Sequence, residues 1–131
     1  MIYLSSDKIQ EAIGYDEVMD AIEEAYALES AGYYKMPDRI HIEHGENTLL
    51  YMPCFLSTVF GTKILSLFPA NTAKNLPVIS GLVLVNDAGS GLPVAILDGA
   101  GVTALRTGAV GGVAIRHTAP LNASRIGLIG A

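Results

Sequence analysis

Cysteine is almost missing from this sequence of 131 residues: Cys54 stands alone, so no internal disulfide can form, and a reducing cytoplasm is the expected compartment. Positive charge is scarce as well. Eight Lys and Arg, scattered singly, stand against thirteen Asp and Glu, for a formal net charge of −5. Nucleic acid is therefore not an expected partner, because tracking phosphates needs a basic face. The opening residues, Met1-Ile2-Tyr3-Leu4-Ser5-Ser6-Asp7, lack the basic region and apolar run of a signal peptide. Long uncharged runs are absent too. Arg106 and Arg116 bound the Gly-, Ala- and Val-rich stretch that holds Gly108-x-x-x-Gly112, leaving too little to span a bilayer, so no membrane is expected.

What is present is an apolar, globular composition. Half of the residues are hydrophobic and 16% are charged, which suits one folded unit burying about two-thirds of its unfolded surface. A short strand at Ile2–Leu4 leads to Ser5 or Ser6, either able to cap a brief helix that ends at Gly14. Asp16 is expected to cap a longer helix with Val18, Met19, Ile22, Ala25 and Tyr26 on one face, stopped by Gly32. Across residues 39–68 the period changes. Ile40 and Ile42, then Leu49–Met52, then Phe60–Phe68 read as hairpin-linked strands, with Gly45-Glu46-Asn47 as a turn. Gly81–Val85 and Pro93–Leu97 are further strands around the turn-rich Asn86–Gly91, and a helix runs from about Val102 to His117. Ser124–Ala131 reads as a buried strand arriving at a glycine turn, the way a dinucleotide-binding domain begins. The expected class is α/β in its mixed, α+β-like form: a mainly antiparallel sheet with flanking helices.

One arginine stands out chemically. Arg106 sits among small and apolar residues, and positions 102, 103, 109 and 110 are Val, Thr, Ala and Val, so no carboxylate lies a helical turn away. Stripping a buried guanidinium of its partner costs about 3–5 kcal/mol. Its anion must come from a distant residue or from a ligand, and a helix N-terminus adds its own preference for negative charge. Other residues have ordinary roles open to them. Arg39, between Asp38 and Ile40, suits a surface salt bridge, and Lys63 suits a solvent-facing place on an edge strand. His41 and His44 fall on opposite sides of a strand and serve one metal ion poorly, so no metal is expected. Cys54 reads as a buried structural thiol, and Tyr33, Tyr34 and Tyr51 as packing or interface residues.

Met36-Pro37-x-Arg39, Gly61-Thr62-Lys63, Asn75-Leu76-Pro77, Gly91-x-Pro93, Asp98-Gly99, Thr103-Ala104-Leu105-Arg106-Thr107 and Ile126-Gly127-Leu128-Ile129-Gly130-Ala131 occur in one order along the chain. In that order they resemble the N-terminal part of the ornithine cyclodeaminase/mu-crystallin family, over residues 1–131. The resemblance implies a two-domain Rossmann enzyme. Residues 1–123 would be its substrate-binding and dimerisation domain, and 124–131 the first strand of an NAD(P)-binding domain. It implies hydride transfer, with NAD or NADP, at the α-carbon of an amino or imino acid; the type member converts ornithine to proline and ammonia. Arg39, Lys63 and Arg106 would hold the substrate carboxylate, whose two oxygens offer about four acceptor sites. Thr107 would lie near the cofactor, and Gly130 would open its pyrophosphate turn. Where many members carry a threonine after Leu-Pro, this chain has Val78, with Ser80 the nearest hydroxyl.

The family's acid/base aspartate would fall beyond Ala131, so no catalytic residue is expected in this chain, which alone would be inactive. Asp98 reads as a turn and helix-start residue. The implied partners are a small amino- or imino-acid substrate and a second copy in a homodimer. The glycine-rich run after Arg106 also resembles the archaeal-type alanine dehydrogenase branch. Alanine, a cyclic ketimine and ornithine are all left open as substrates, and a mu-crystallin-like binding protein is the non-enzymatic alternative.

Overall fold

A computed structural model describes residues 1–129. The chain opens with β1 (Ile2–Leu4), α1 (Ser6–Ala12) and α2 (Tyr15–Ala31). Ser5 caps α1, its Oγ accepting the Lys8 N–H. α2 begins one residue before Asp16, contrary to the expected cap. Gly14 is the N-cap, and Glu17 reaches back to accept the Gly14 N–H at 2.8 Å, which leaves Asp16 as a first-turn carboxylate facing the helix dipole. Gly32 ends α2 at φ +71°, a left-handed conformation that glycine takes without penalty.

From there the alternating apolar pattern becomes an antiparallel meander: β2 (Ile40–His44), β3 (Asn47–Phe55), β4 (Val59–Leu67), β5 (Ile79–Asp87) and β6 (Pro93–Asp98). The β2–β3 turn is the pair Gly45-Glu46, with Asn47 already in β3 opposite His44. At the β5–β6 turn, Asp87 accepts both the N–H and the hydroxyl of Ser90. β1 joins the far edge, parallel to β6, giving the order β1-β6-β5-β4-β3-β2. This is the expected mixed, mainly antiparallel sheet with helices.

α3 (Gly99–Thr118) lies over β5 and reaches β4 and β6, and α2 packs on α3. Its start is three residues earlier than the sequence suggested. Asp98 caps it, Oδ1 accepting the Gly101 N–H at 2.6 Å. The early start has a packing cause: Gly99 rests directly on the backbone of Gly81. A Cβ at position 99 would come within 2.6 Å of the Gly81 carbonyl carbon. The α2–α3 contact is closed by Met19 against Gly112 and by Arg116, paired with Asp20 at 2.8 Å and Glu23 at 3.2 Å.

Only one face of the sheet is covered. Residues opposite one another in an antiparallel pair share a face, so register assigns the sides: Lys63, Met52 and Val83 lie under the helices, and Ile40, Tyr51, Ile64 and Leu82 lie on the outer side. Phe55 and Phe60 stack on that outer side with ring centroids 4.4 Å apart. The accessible surface is 9,581 Å², where a compact monomer of this mass would show about 6,600 Å². Ile40, Ile42 and Phe55 are all about half exposed. The expected strand near the end does not form: residues 124–129 pair with none of the six strands, and Ile126, Leu128 and Ile129 are exposed. A strand without a hydrogen-bonded neighbour has nothing to hold it extended.

Gly99→Ala is expected to destabilise the 131-residue chain by about 1–3 kcal/mol, by forcing α3 off β5. Gly108→Ala, whose Cβ would meet open space, should stabilise it by about 0.5–1 kcal/mol. Urea unfolding of both variants measures this, and equal effects would remove the Gly81–Gly99 contact as a constraint.

Candidate functional site

Three elements bring three cations together on the covered side of the sheet. Lys63 sits in β4, with three strands on one side of it and two on the other, so it is not the edge lysine the sequence allowed. Its cross-strand neighbours are Met52 on β3 and Val83 on β5. Arg106 comes down from α3. Arg39 stands just before β2, at the end of a segment tied down on both sides. Lys35 exchanges both backbone hydrogen bonds with Phe55, at 3.0 and 2.8 Å, and β2 pairing resumes at Ile40. Between these ties, Pro37 fixes its own φ and keeps Met36 extended.

The result is a cavity of about 440 Å³ lined by Met36, Pro37, Asp38, Arg39, Met52, Lys63 and Arg106. Burial holds the Lys63 ammonium below its ordinary pKa of 10.5, and the nearby charges of Arg106 and Arg39 push it further down. Among the described residues none of the three forms an ion pair; the pairs that exist join Lys8 to Glu11 and the end of α3 to α2. The surface salt bridge open to Arg39 is thus not formed. Three cations in excess of the one Asp38 carboxylate, none of them ion-paired, make a receptor for an anion, and guanidinium forks suit the planar geometry of a carboxylate.

Two expectations about Arg106 change. It is exposed rather than buried, because it lies on the flank of α3 that faces the open cavity. It also lies about two turns into α3, since the helix begins at Gly99, where Asp98 already occupies the Gly101 N–H. The helix dipole acts over the first turn, so the attraction for an anion comes from side chains. Asp98 is the helix-start residue that the sequence suggested.

The remaining candidates are dispersed. Thr107 is exposed beside Arg106, and its hydroxyl donates to the Thr103 carbonyl at 2.6 Å, which leaves its oxygen as an acceptor. Ser80 does not join the cluster. It pairs with Ser66, three residues from Val83, and alternation turns it to the outer face, away from Lys63. Gly130 lies outside the described residues. Cys54 is half-buried rather than fully buried; it lines a neighbouring cavity with Tyr34 and Leu56, and burial raises its thiol pKa. That favours the unreactive thiol. His41 and His44 lie on opposite faces of β2, as alternation requires. The sequence did not single out Met52 or Asp38. Met52 could have been found from its partner, since it faces Lys63 once the β3–β4 register is known.

Comparison with known proteins places this geometry. The model of the ornithine cyclodeaminase/mu-crystallin family matches residues 1–131. Alanine dehydrogenase of Archaeoglobus fulgidus is 36% identical over 129 residues, covering 98% of this chain and 40% of that protein. The structure of an archaeal alanine dehydrogenase dimer with bound NAD superposes with a TM-score of 0.85 at 35% identity, over 93% of this chain and 38% of that one. Thermococcus litoralis Delta(1)-pyrroline-2-carboxylate reductase, solved with NADH and L-proline, gives 0.83 at 37% identity, over 92% of this chain and 38% of that one. The chain spans about 40% of the length of the curated relatives it matches. On this match over residues 1–131, the chain belongs to the ornithine cyclodeaminase/mu-crystallin family.

Proposed function

We propose that this chain is the substrate-binding and dimerisation part of an NAD(P)-dependent enzyme of that family, acting by hydride transfer at the α-carbon of an amino or imino acid. The observation that carries this reading is the unpaired convergence of Arg39, Lys63 and Arg106 on one cavity. A carboxylate in that cavity meets two guanidinium forks and an ammonium. Each charge-assisted bond contributes about 1.5–3 kcal/mol, and together they fix the orientation of the α-carbon rather than react with it. The nicotinamide, when bound, supplies the hydride acceptor or donor. This chain offers it Thr107, an exposed acceptor oxygen next to Arg106. In this reading residues 124–131 begin the domain that holds the rest of the dinucleotide. The exposure of Ile126, Leu128 and Ile129 supports this, because three apolar side chains so close together call for cover.

The outer sheet face is the proposed dimer contact. It is apolar and uncovered, and the surface excess is ample for the roughly 1,200–2,000 Å² that a stable pair buries. A relative's structure is a dimer with bound NAD. A cytoplasmic place is in keeping with the single cysteine, and no helix among the described residues is long and apolar enough to cross a membrane.

Arg106→Ala in the full-length protein should lower kcat/KM by at least about 10-fold, equivalent to about 1.4 kcal/mol. Unchanged kinetics in a folded variant would remove Arg106 from the site. Leu82→Lys, on the outer face, is expected to shift the full-length protein from dimer to monomer in light scattering, and an unaltered dimer would move the interface elsewhere. The depressed Lys63 pKa sets a pH dependence. Carboxylate binding needs the ammonium, so affinity for butyrate, which does not titrate there, should fall as pH rises through a value below 10.5. Folding stability of the ligand-free protein runs the opposite way, rising over the same window, because the native state binds fewer protons than the unfolded one. Calorimetric titration across pH checks the binding arm. Lys63→Met should flatten it, and a fall that persists in that variant would assign the dependence to another group.

A further inference from the structure

We infer that the cavity selects amino or imino acids with uncharged side chains, and that Met52 sets how long a side chain it accepts. This rests on the carboxylate reading above and goes on to the other end of the substrate. Three cations and the single carboxylate of Asp38 line the part of the cavity that this chain builds, so the charge of that part stays positive even after one carboxylate has bound. A second ammonium on the substrate enters against that field unless a carboxylate stands on the wall beside it.

The walls give it little to pair with. On β3 the residues facing the helices are Thr48, Leu50, Met52 and Cys54, none of them acidic, because alternation sends their neighbours to the outer face; Glu43 on β2 shares this face opposite Thr48, but it does not line the cavity. On β4 the residues flanking Lys63 on the same side are Gly61 and Leu65, and on β5 the nearest is Val83. Glu29 and Glu24 line adjoining cavities, the first sharing Met36 and Arg106 with this one and the second sharing Met36, and neither carboxylate lines the cavity itself.

Met52 is placed to read the side chain. It lies directly opposite Lys63 in the β3–β4 register, where Cβ atoms of facing residues are about 4.5–5.5 Å apart. A carboxylate held on Lys63 therefore brings the rest of the substrate against the Met52 thioether. Methionine is unbranched and adaptable, so it suits short aliphatic chains and flat rings alike. It offers no acceptor strong enough for an ammonium.

The test uses the full-length protein and a matched pair, L-norvaline and L-ornithine, which share a carbon chain and differ by the terminal ammonium. Calorimetric binding and steady-state oxidation with NAD or NADP are both read. Norvaline should bind and turn over at least about 10-fold better than ornithine, within the range that a single side-chain contact can discriminate. Met52→Ala should raise the ratio of kcat/KM for L-norleucine over L-alanine by at least about 5-fold, while Met52→Leu, close in volume, keeps the original ratio. Equal or better binding of ornithine overturns the charge selection, and an unmoved ratio in folded Met52→Ala overturns the role of Met52. Either result leaves the carboxylate site standing. Failure of norvaline, ornithine and butyrate alike to bind would sink that site and this inference together.

Discussion

The contact between Gly99 and Gly81 is the constraint on which the site depends. It is backbone on backbone, with no side chain to adjust, so it fixes where α3 leaves β6 and how closely it lies over β5. Asp98 then closes the first turn by capping Gly101. With its start fixed in this way, α3 carries Arg106 to a set height above β4, where Lys63 stands. A longer side chain at 99 would lift the helix, and the cations would separate even though none of them had been changed.

Electrostatics then sets the character of the cavity. Holding three like charges together works against folding, and the lowered Lys63 pKa is the mark of that opposition. An acidic chain that nonetheless concentrates cations in one place creates a strong local contrast in potential. The strain of assembly is present before any ligand arrives, so little reorganisation is left for the moment of binding. Outside the cavity the sequence is negative on balance.

Much of this was legible beforehand, for identifiable reasons. Alternation at Ile40 and Ile42 and the Gly45-Glu46 turn produced the meander, and Asp98 was readable as a cap because its type and place suit no other role so well. The Arg39, Lys63 and Arg106 grouping came from motif resemblance, since no local rule connects residues so far apart in sequence. What escaped depended on tertiary partners. The start of α3 at Gly99 was hidden because Gly-Ala-Gly has poor helix propensity, and only the Gly81 surface explains it. Lys63 was ambiguous until the strand order made β4 an interior strand. Ser80 needed the β5 register to show its face, and residues 124–129 lacked a neighbouring strand to pair with.

The two backbone bonds between Lys35 and Phe55 reach beyond architecture. They leave the segment that carries Arg39 fastened at both ends, with only four residues between the bridge and β2. Such a short, pinned segment cannot swing aside as a lid without breaking sheet hydrogen bonds. What remains mobile on this side of the cavity is side-chain rotation, which takes picoseconds to nanoseconds, far faster than the microsecond opening of a loop. On this wall, then, access to the cavity is paced by diffusion and by the turning of two methionines, and the wall behaves as the side of a fixed cup rather than as a jaw.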